Sequence, residues 1–249
     1  MKTSIPGPSL DEIVGQSAAL KSALQKARSA ANSEATVLII GERGTGKELL
    51  ARTIHRMGNR RSQSFIKLDC STVAPSQWEA LLFGQDRSRL KAAHLGTLLL
   101  KNIESIPEGF RPALLQVCRH RKLERRGHRT TVSIDAIIIA SMSDMAQRIE
   151  DFWFYKALSD KPNLSIIRVP TLRARRRDIP LLASAFFKKW ARRMNKSIDV
   201  ISTDTMKSLA SYDWPGNIQE LETLIERFVG VAEGHELRFD NPLQVKKRA

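Results

Sequence analysis

The stretch "ATVLIIGERGTGKELLARTIH", residues 35–55, joins an apolar run, a glycine-rich loop and a helical pattern. The run "ATVLIIG" is typical of a buried strand, and apolar positions recur at the helical period from Lys47 onward. A loop in this position turns backbone N–H groups toward phosphate oxygens, and the following helix adds its dipole. Lys47 would bring a point charge to the β- and γ-phosphates. We therefore predict a nucleotide site formed by Gly41, Glu42, Arg43, Gly44, Thr45, Gly46, Lys47 and Glu48.

Four more apolar runs follow this loop, and each has the length of a strand. They read "SFIKLDC", "GTLLLKNI", "IDAIIIAS" and "LSIIRV". Nearly continuous apolar composition is typical of parallel strands that are covered on both faces, so we predict an α/β fold with a parallel sheet flanked by helices. Three helical patterns remain after "PTLRARRRDIP", which indicates a small helical domain at the C-terminal side. The predicted domains are residues 1–171 and 172–249.

The charge balance is strongly basic, with 41 Lys and Arg against 26 Asp and Glu and a net charge of +15. Such a field attracts polyanions, so nucleic acid or an acidic protein is a candidate partner, and a solvated basic surface is the alternative. The two cysteines and five histidines lack the spacing of metal ligands, and no metal site is predicted. The sequence shows neither a secretory signal nor an apolar run long enough to span a bilayer, so we expect a cytoplasmic protein without a membrane anchor.

Several motifs in chain order resemble the central AAA+ domain of sigma-54-dependent transcriptional activators. They are "GERGTGKELLARTIH", "LLFG", "GTLLLKNIESIP", "VPTLRARRRDIPLLA" and "YDWPGNIQELETLIER", within a resemblance that runs from about Ile13 to Val231. The resemblance implies an ATP-binding P-loop domain with a helical lid, assembled into a ring that remodels RNA polymerase holoenzyme. It further implies that Glu48 is normal after the lysine, and that residues near Val14 and Gly15 hold the base.

The same resemblance exposes departures at positions that serve catalysis in the family. An Asp-Glu pair, which supports magnesium and polarises the attacking water, is replaced by Lys101 and Asn102. Met142 stands where the family has a sensor asparagine, and Gln219 stands where it has a phosphate-sensing arginine. Neither lysine nor asparagine can act as the general base, so hydrolysis would lose both water activation and metal support. Rescue by Glu104 would demand a shift in register.

Further departures concern the contacts that family members make. The GAFTGA loop that touches the sigma factor is missing after Gly84, and no C-terminal helix-turn-helix unit is expected after "DNPLQVKKRA". The segment that supplies arginine fingers offers Lys156 or Arg148, and a lysine cannot form the bidentate fork of an arginine.

These features predict a pseudo-ATPase of the AAA+ class that regulates transcription through protein contacts. ATP is the expected cofactor, with magnesium binding placed in doubt by the lost acids. The expected partners are the transcription machinery or related AAA+ subunits, in a homo- or hetero-oligomer. Two alternatives stay open: a basic AAA+ scaffold that binds nucleic acid, and a weak ATPase with displaced catalytic groups.

Overall fold

The computed structural model describes residues 13–84, 88–124, 131–143, 149–160, 164–232 and 236–238. The chain forms two compact units, and the division does not follow chain order. Of the described residues, the first unit holds 24–41 and those between 47 and 168. The second holds 13–23, 42–46 and those from 169 onward. The contiguous division at Thr171 stays a prediction, and it did not anticipate that two early segments group with the C-terminal residues.

A five-stranded parallel sheet forms the centre of the first unit, which confirms the predicted α/β class. Its strands are β1 (Thr36–Ile40), β2 (Phe65–Asp69), β3 (Thr97–Lys101), β6 (Ile137–Met142) and β7 (Leu164–Arg168). Their spatial order is β2-β3-β6-β1-β7. Four of the five predicted runs each contain a whole strand, and the run "IDAIIIAS" contains all of β6 except Met142. A separate antiparallel hairpin joins β4 (Lys122–Glu124) and β5 (Thr131–Ser133).

Burial explains why the strand sequences are almost purely apolar. Val37, Leu38 and Ile39 of β1 are fully buried, because helices cover both faces of the sheet. The helices whose bounds fall in the first part of the chain are α1 (Ala18–Ser33), α2 (Lys47–Met57), α3 (Trp78–Phe83), α4 (Arg89–Ala92), α5 (Arg111–His120) and α6 (Trp153–Leu158). Trp78 and Phe154 are the largest side chains buried in this core.

The second unit is mainly helical, as the sequence predicts. It contains a 3₁₀ segment (Leu172–Asp178), the helices α7 (Ile179–Arg193), α8 (Thr203–Ser211) and α9 (Asn217–Val231), and the short strands β8 (Val200–Ile201) and β9 (Glu236–Leu237). Ser202 caps α8 by accepting a hydrogen bond from the amide of Thr205 at 3.2 Å. Trp214 lies at 0% exposure in the core of this unit, and its indole donates to the carbonyl of Leu209. In the described part of the chain, none of the helices is long and apolar enough to cross a bilayer.

Candidate functional site

The loop of residues 42–46 has a backbone that requires glycine at two places. Gly44 has φ +79° and Gly46 has φ +97°, both in the left-handed region. A Cβ atom on Gly44 would lie 2.1 Å from the carbonyl oxygen of Gly216, so no other residue fits there. Thr45 closes the turn, since its amide and its hydroxyl both donate to the carbonyl of Glu42 at 3.4 and 2.8 Å. The predicted cradle is therefore a tight turn whose geometry requires glycine at residue 44.

The start of α9 holds this loop through backbone and amide hydrogen bonds. Asn217 is fully buried with φ +54°, and its Nδ2 donates to the carbonyl of Arg43 at 2.9 Å and to the Glu42 carboxylate at 3.1 Å. Its Oδ1 accepts from the amide of Leu172 at 2.8 Å. Asparagine tolerates the left-handed conformation better than most residues, and these three hydrogen bonds hold Asn217 against the loop.

The predicted sensor position, Gln219, touches the loop with its backbone. The amides of Ile218 and Gln219 donate to the carbonyl of Gly44 at 3.0 and 3.3 Å. The Gln219 side chain lines a cleft of about 540 Å³ together with Arg43, Trp214 and Arg227. Arg43 and Arg227 thus line this cleft beside the predicted sensor position, which carries a neutral amide side chain.

Two arginines of the 3₁₀ segment complete the surroundings of the loop. Arg173 forms a two-pronged ion pair with the Glu42 carboxylate, and one of its two hydrogen bonds measures 2.8 Å. Arg175 is 3% exposed and donates to the carbonyl of Thr45 at 3.3 Å. Burial lowers the pKa of Arg175, and the nearby charge of Asp178 acts in the opposite direction. The loop is therefore fixed by charged groups as well as by the start of α9.

The predicted base-binding residues Val14 and Gly15 lie in the second unit, in a segment organised by Asp178. This carboxylate is fully buried and accepts from the amides of Gln16 and Ser17 at 2.7 and 3.0 Å and from the Ser17 hydroxyl at 2.6 Å. Gly15 has φ +147°, and a Cβ there would lie 2.7 Å from an Asp178 oxygen. Val14 packs against the apolar core of this unit. Asp178 thus fixes the path of the chain at these two residues.

In the first unit, Lys47 and Glu48 open α2. The Lys47 ammonium donates to the carbonyl of Gly41 at 2.6 Å, which folds the side chain back toward the end of β1. Met142 ends the neighbouring strand β6, and its carbonyl accepts from the amide of Gly41 at 3.4 Å. The Met142 side chain is 5% exposed and packs in the apolar core of the unit. The predicted sensor position therefore presents backbone, not a polar side chain, at the strand end.

Lys101 ends β3 and Asn102 follows it, and both side chains join a compact polar cluster. The Lys101 ammonium lies 3.2 Å from Asp69 Oδ2 and 3.4 Å from Glu48 Oε2. Asn102 has φ +52°, and its Nδ2 donates to Asp69 Oδ1 at 2.8 Å and to the Ser71 hydroxyl at 3.1 Å. Partial burial acts to raise the pKa of Asp69, but its hydrogen bonds to Ser71, Asn102 and Lys101 outweigh burial and lower it to about 2. Both residues are thus structural members of a charged network.

Glu104, the acid considered for rescue, serves the end of β6. Its Oε1 accepts from the amide of Ser143 at 3.1 Å, and its Oε2 is buried without a hydrogen-bond partner among the described residues. Of the two finger candidates, Lys156 pairs with Asp151 at an exposed position, while Arg148 lies outside the described residues. The junction after Gly84 leads into residues 85–87, which also lie outside them. Within the described ranges, no group of three or more His, Cys, Asp or Glu side chains could hold a metal ion.

The parallel sheet and the helical second unit agree with the two protein families whose models match this chain. A model of the sigma-54 interaction domain matches residues 13–166. The chain belongs to this family. A second model, the AAA+ ATPase lid domain, matches residues 173–244. The sigma-54 interaction domain and the lid together confirm the predicted AAA+ fold and the resemblance to sigma-54-dependent activators.

Among curated relatives, the DNA-binding transcriptional activator HyfR of Escherichia coli K12 is 40% identical over 240 residues, covering 92% of this chain and 36% of HyfR. The formate hydrogenlyase transcriptional activator FhlA of the same strain is 37% identical over 243 residues, covering 93% of this chain and 35% of FhlA. The chain therefore spans about a third of the length of these relatives.

A solved structure, NtrX of Brucella abortus in complex with ATP, superimposes with a TM-score of 0.80 at 30% identity, covering 92% of this chain and 55% of NtrX. A second crystal structure of NtrX contains ADP and superimposes with a TM-score of 0.78 at 30% identity. The ADP complex covers 91% of this chain and 54% of NtrX. NtrX, which shares this fold, thus binds both nucleotides.

Sequence reasoning missed three residues that shape the site. Asn217 was visible as the last letter of "WPGN", and asparagine is the non-glycine residue that most readily adopts positive φ. Asp178 precedes Ile179-Pro180 and reads as a helix cap, but it makes no capping hydrogen bond in α7. Asp69 ends β2, and its carboxylate faces Lys101 because these two residues are in register across β2 and β3. That last contact carried no sequence signal beyond an acid at a strand end.

Proposed function

We propose that this chain is an ATP-binding regulatory protein of transcription that does not hydrolyse its nucleotide. The observation that carries the proposal is the replacement of the two catalytic acids of the family by residues that pair with other side chains. Lys101 stands in place of the first and is paired with Glu48 and Asp69, while Asn102, in place of the second, donates to Asp69. The glycine geometry of the loop, by contrast, is retained at Gly44 and Gly46.

Binding is supported by the residues that a nucleotide needs. The loop from Gly41 to Glu48 has the sequence of a phosphate cradle, and its turn geometry tolerates only glycine at residue 44. The segment at Val14 and Gly15, proposed to contact the base, is fixed by a buried carboxylate. NtrX, a similar chain, has been solved with ATP and with ADP. We therefore assign ATP as the ligand of this loop.

Loss of hydrolysis is supported by the side chains that stand at the positions that serve catalysis in the family. Asn102 carries an amide that cannot accept a proton from water, and Met142 is turned into the apolar core. Glu104 caps the end of β6 by accepting from Ser143. Gln219 offers no positive charge to a developing phosphate charge. Since groups that act as a unit are lost together, a fall of several orders of magnitude in rate is expected.

The regulatory part of the proposal rests on relatives that are transcriptional activators by name, such as HyfR and FhlA. We propose that ATP binding shifts the conformation of the lid, and that the chain then contacts the transcription machinery or related AAA+ subunits in the cytoplasm, as a homo- or hetero-oligomer. A ligand that is not turned over can still bias a two-state element, provided that the two states bind it with different affinity.

The test is a titration of fluorescent ATP into the purified chain beside two variants. Lys47→Ala removes the phosphate-binding ammonium, and Lys207→Ala removes an exposed lysine of α8 that pairs with Asp204. Saturable binding in the wild type and in Lys207→Ala, lost in Lys47→Ala, is the expected result. Equal binding by all three proteins, or by none, would refute the proposed site.

Nucleic acid binding is a second candidate function, favoured by the net charge of +15 and by an exposed basic face of α7. This face consists of Lys188, Lys189, Arg192 and Arg193. If these four side chains neutralise four phosphates, the Kd for duplex DNA should rise about a hundredfold between 50 and 200 mM salt. An absence of binding at low salt would remove this candidate.

A further inference from the structure

The cluster around Lys101 lies at the carboxyl edge of the central sheet. Lys101 and Asp69 are the last residues of adjacent parallel strands and are in register. Glu48 approaches from the first turn of α2, so its carboxylate and that of Asp69 both face the Lys101 ammonium. The three side chains are a quarter to a third exposed, which leaves the cluster open to a solute. An ammonium held between two carboxylates is the central feature of this edge.

Every carboxylate oxygen in the cluster already faces a donor. Glu48 Oε1 accepts from Lys67 at 3.0 Å and from Arg52 at 3.1 Å, while Oε2 faces Lys101. Asp69 Oδ1 accepts from the hydroxyl of Ser71 at 2.7 Å and from Asn102, while Oδ2 faces Lys101. The two acids that could ligate a metal are therefore fully engaged by protein groups.

Magnesium does not fit this arrangement. Mg²⁺ requires six oxygen ligands in octahedral geometry at about 2.0–2.1 Å and gains its affinity from unpaired carboxylates. Here three cationic side chains, those of Arg52, Lys67 and Lys101, surround two carboxylates, so the cluster carries a net positive charge. A divalent cation would meet an ammonium where it should find an acid.

We propose that the Lys101 ammonium is a built-in cation that takes the place of magnesium, so that this chain binds its nucleotide without a metal ion. This inference rests on the proposed function, because it describes how the same nucleotide is held. A magnesium ion normally neutralises oxygens of the β- and γ-phosphates. In this chain Lys47 and Lys101 supply that positive charge, and the acids Glu48 and Asp69 orient the second lysine.

The charge state of the cluster supports this role. Partial burial acts to lower the pKa of Lys101, but the hydrogen bond and charge of Asp69 and the charge of Glu48 outweigh it, and the pKa lies above the ordinary lysine value. Burial likewise acts to raise the pKa of Glu48, and the hydrogen bonds from Lys67 and Arg52 reverse this, so that its pKa is lowered. The ammonium and the carboxylates that hold it thus keep their charges throughout the physiological pH range.

The first test compares fluorescent ATP binding in excess magnesium and in EDTA. In the wild type the Kd should be higher in excess magnesium than in EDTA, because magnesium competes for the ATP that the protein binds without a metal ion. Lys101→Met keeps the length of the side chain without its charge, and it should weaken binding about tenfold in EDTA. Lys101→Asp restores an acid to the strand end, so its binding should become dependent on magnesium. Lys207→Ala, on the surface of α8, is the matched control and should behave as the wild type.

A second readout follows the metal itself by electron paramagnetic resonance, with Mn²⁺ as the probe. Wild-type protein added to Mn²⁺-ATP should raise the signal of free Mn²⁺, because it takes up the nucleotide and leaves the metal in solution. The Lys101→Asp variant should lower that signal. If the variant fails to fold, the wild-type signal and the Lys101→Met titration still decide the matter.

The outcomes separate the two claims. ATP binding that requires magnesium in the wild type, or a fall in the free Mn²⁺ signal, would overturn the built-in cation and leave the ATP-binding function standing. An absence of ATP binding in both conditions would overturn the proposed function and this inference with it.

Discussion

Replacing Asp178 with alanine is expected to destabilise the second unit and to weaken ATP binding. The carboxylate is fully buried and accepts three hydrogen bonds, from the amides of Gln16 and Ser17 and from the Ser17 hydroxyl. Alanine would leave these donors unsatisfied and would remove the nearby negative charge from the buried Arg175. It would also release the path of the chain at Gly15, where the base is proposed to bind.

The expected loss of unfolding free energy follows from the donors that lose Asp178 as their acceptor. Removing one member of a buried, hydrogen-bonded charge arrangement costs about 3–5 kcal/mol of unfolding free energy. Ser17→Ala leaves both amide hydrogen bonds to Asp178 in place. It removes a hydroxyl that donates to Asp178 and accepts from the amide of Leu20, so it should cost about 1 kcal/mol. Asp160→Ala changes an exposed carboxylate and should stay within about 0.5 kcal/mol.

The assay is urea unfolding followed by circular dichroism for the three variants, together with a fluorescent ATP titration of each folded protein. The expected order of stability is wild type and Asp160→Ala, then Ser17→Ala, then Asp178→Ala. A loss of less than about 1 kcal/mol in Asp178→Ala would show that the buried carboxylate is not the organiser of residues 14–17.

Gly44→Ala forces a side chain into a positive-φ position against the carbonyl of Gly216, so we expect a loss of about 2 kcal/mol in unfolding free energy and the loss of ATP binding. Gly109→Ala, where a Cβ meets open space, is the control, and equal stability of the two variants would contradict the reasoning. His55 is buried with Nδ1 2.9 Å from the Thr97 hydroxyl, and burial lowers its pKa below the ordinary value of 6.5. The neutral ring therefore contributes stability above about pH 6.5 that is lost as the pH falls. In His55→Gln the urea midpoint of unfolding should depend less on pH between neutral and mildly acidic conditions. An unchanged pH profile in that variant would assign the pH dependence to other groups.

The sheet was readable from sequence because each strand is an apolar run closed by a glycine or by polar residues. The helix start at Ser202 was readable as well, because its hydroxyl contacts only a near neighbour in the chain: it accepts from the amide of Thr205 and donates to the Thr205 hydroxyl. Such features depend on neighbours in the chain. The position of Met142 at a strand end came from the family resemblance, but its burial follows from which face of β6 it occupies.

Contacts between distant parts of the chain were not readable. Lys101 was recognised as a cation in place of an acid, yet its pairing with Asp69 and Glu48 depends on the register of two strands and on the approach of α2. The resemblance drew attention to the side chain of Gln219, whereas its backbone N–H is the group that contacts the loop. Asp178 acts on a segment at the other end of the chain, a relation that no local pattern encodes.

The most direct test of the central claim is the chemical identity of the nucleotide that the protein retains. Purified chain is incubated with γ-labelled ATP and magnesium, separated from free nucleotide, and the bound fraction is resolved by chromatography beside Lys47→Ala. We predict bound, intact ATP in the wild type and none in the variant. Bound ADP with released phosphate would show an active ATPase with displaced catalytic groups and would contradict the account.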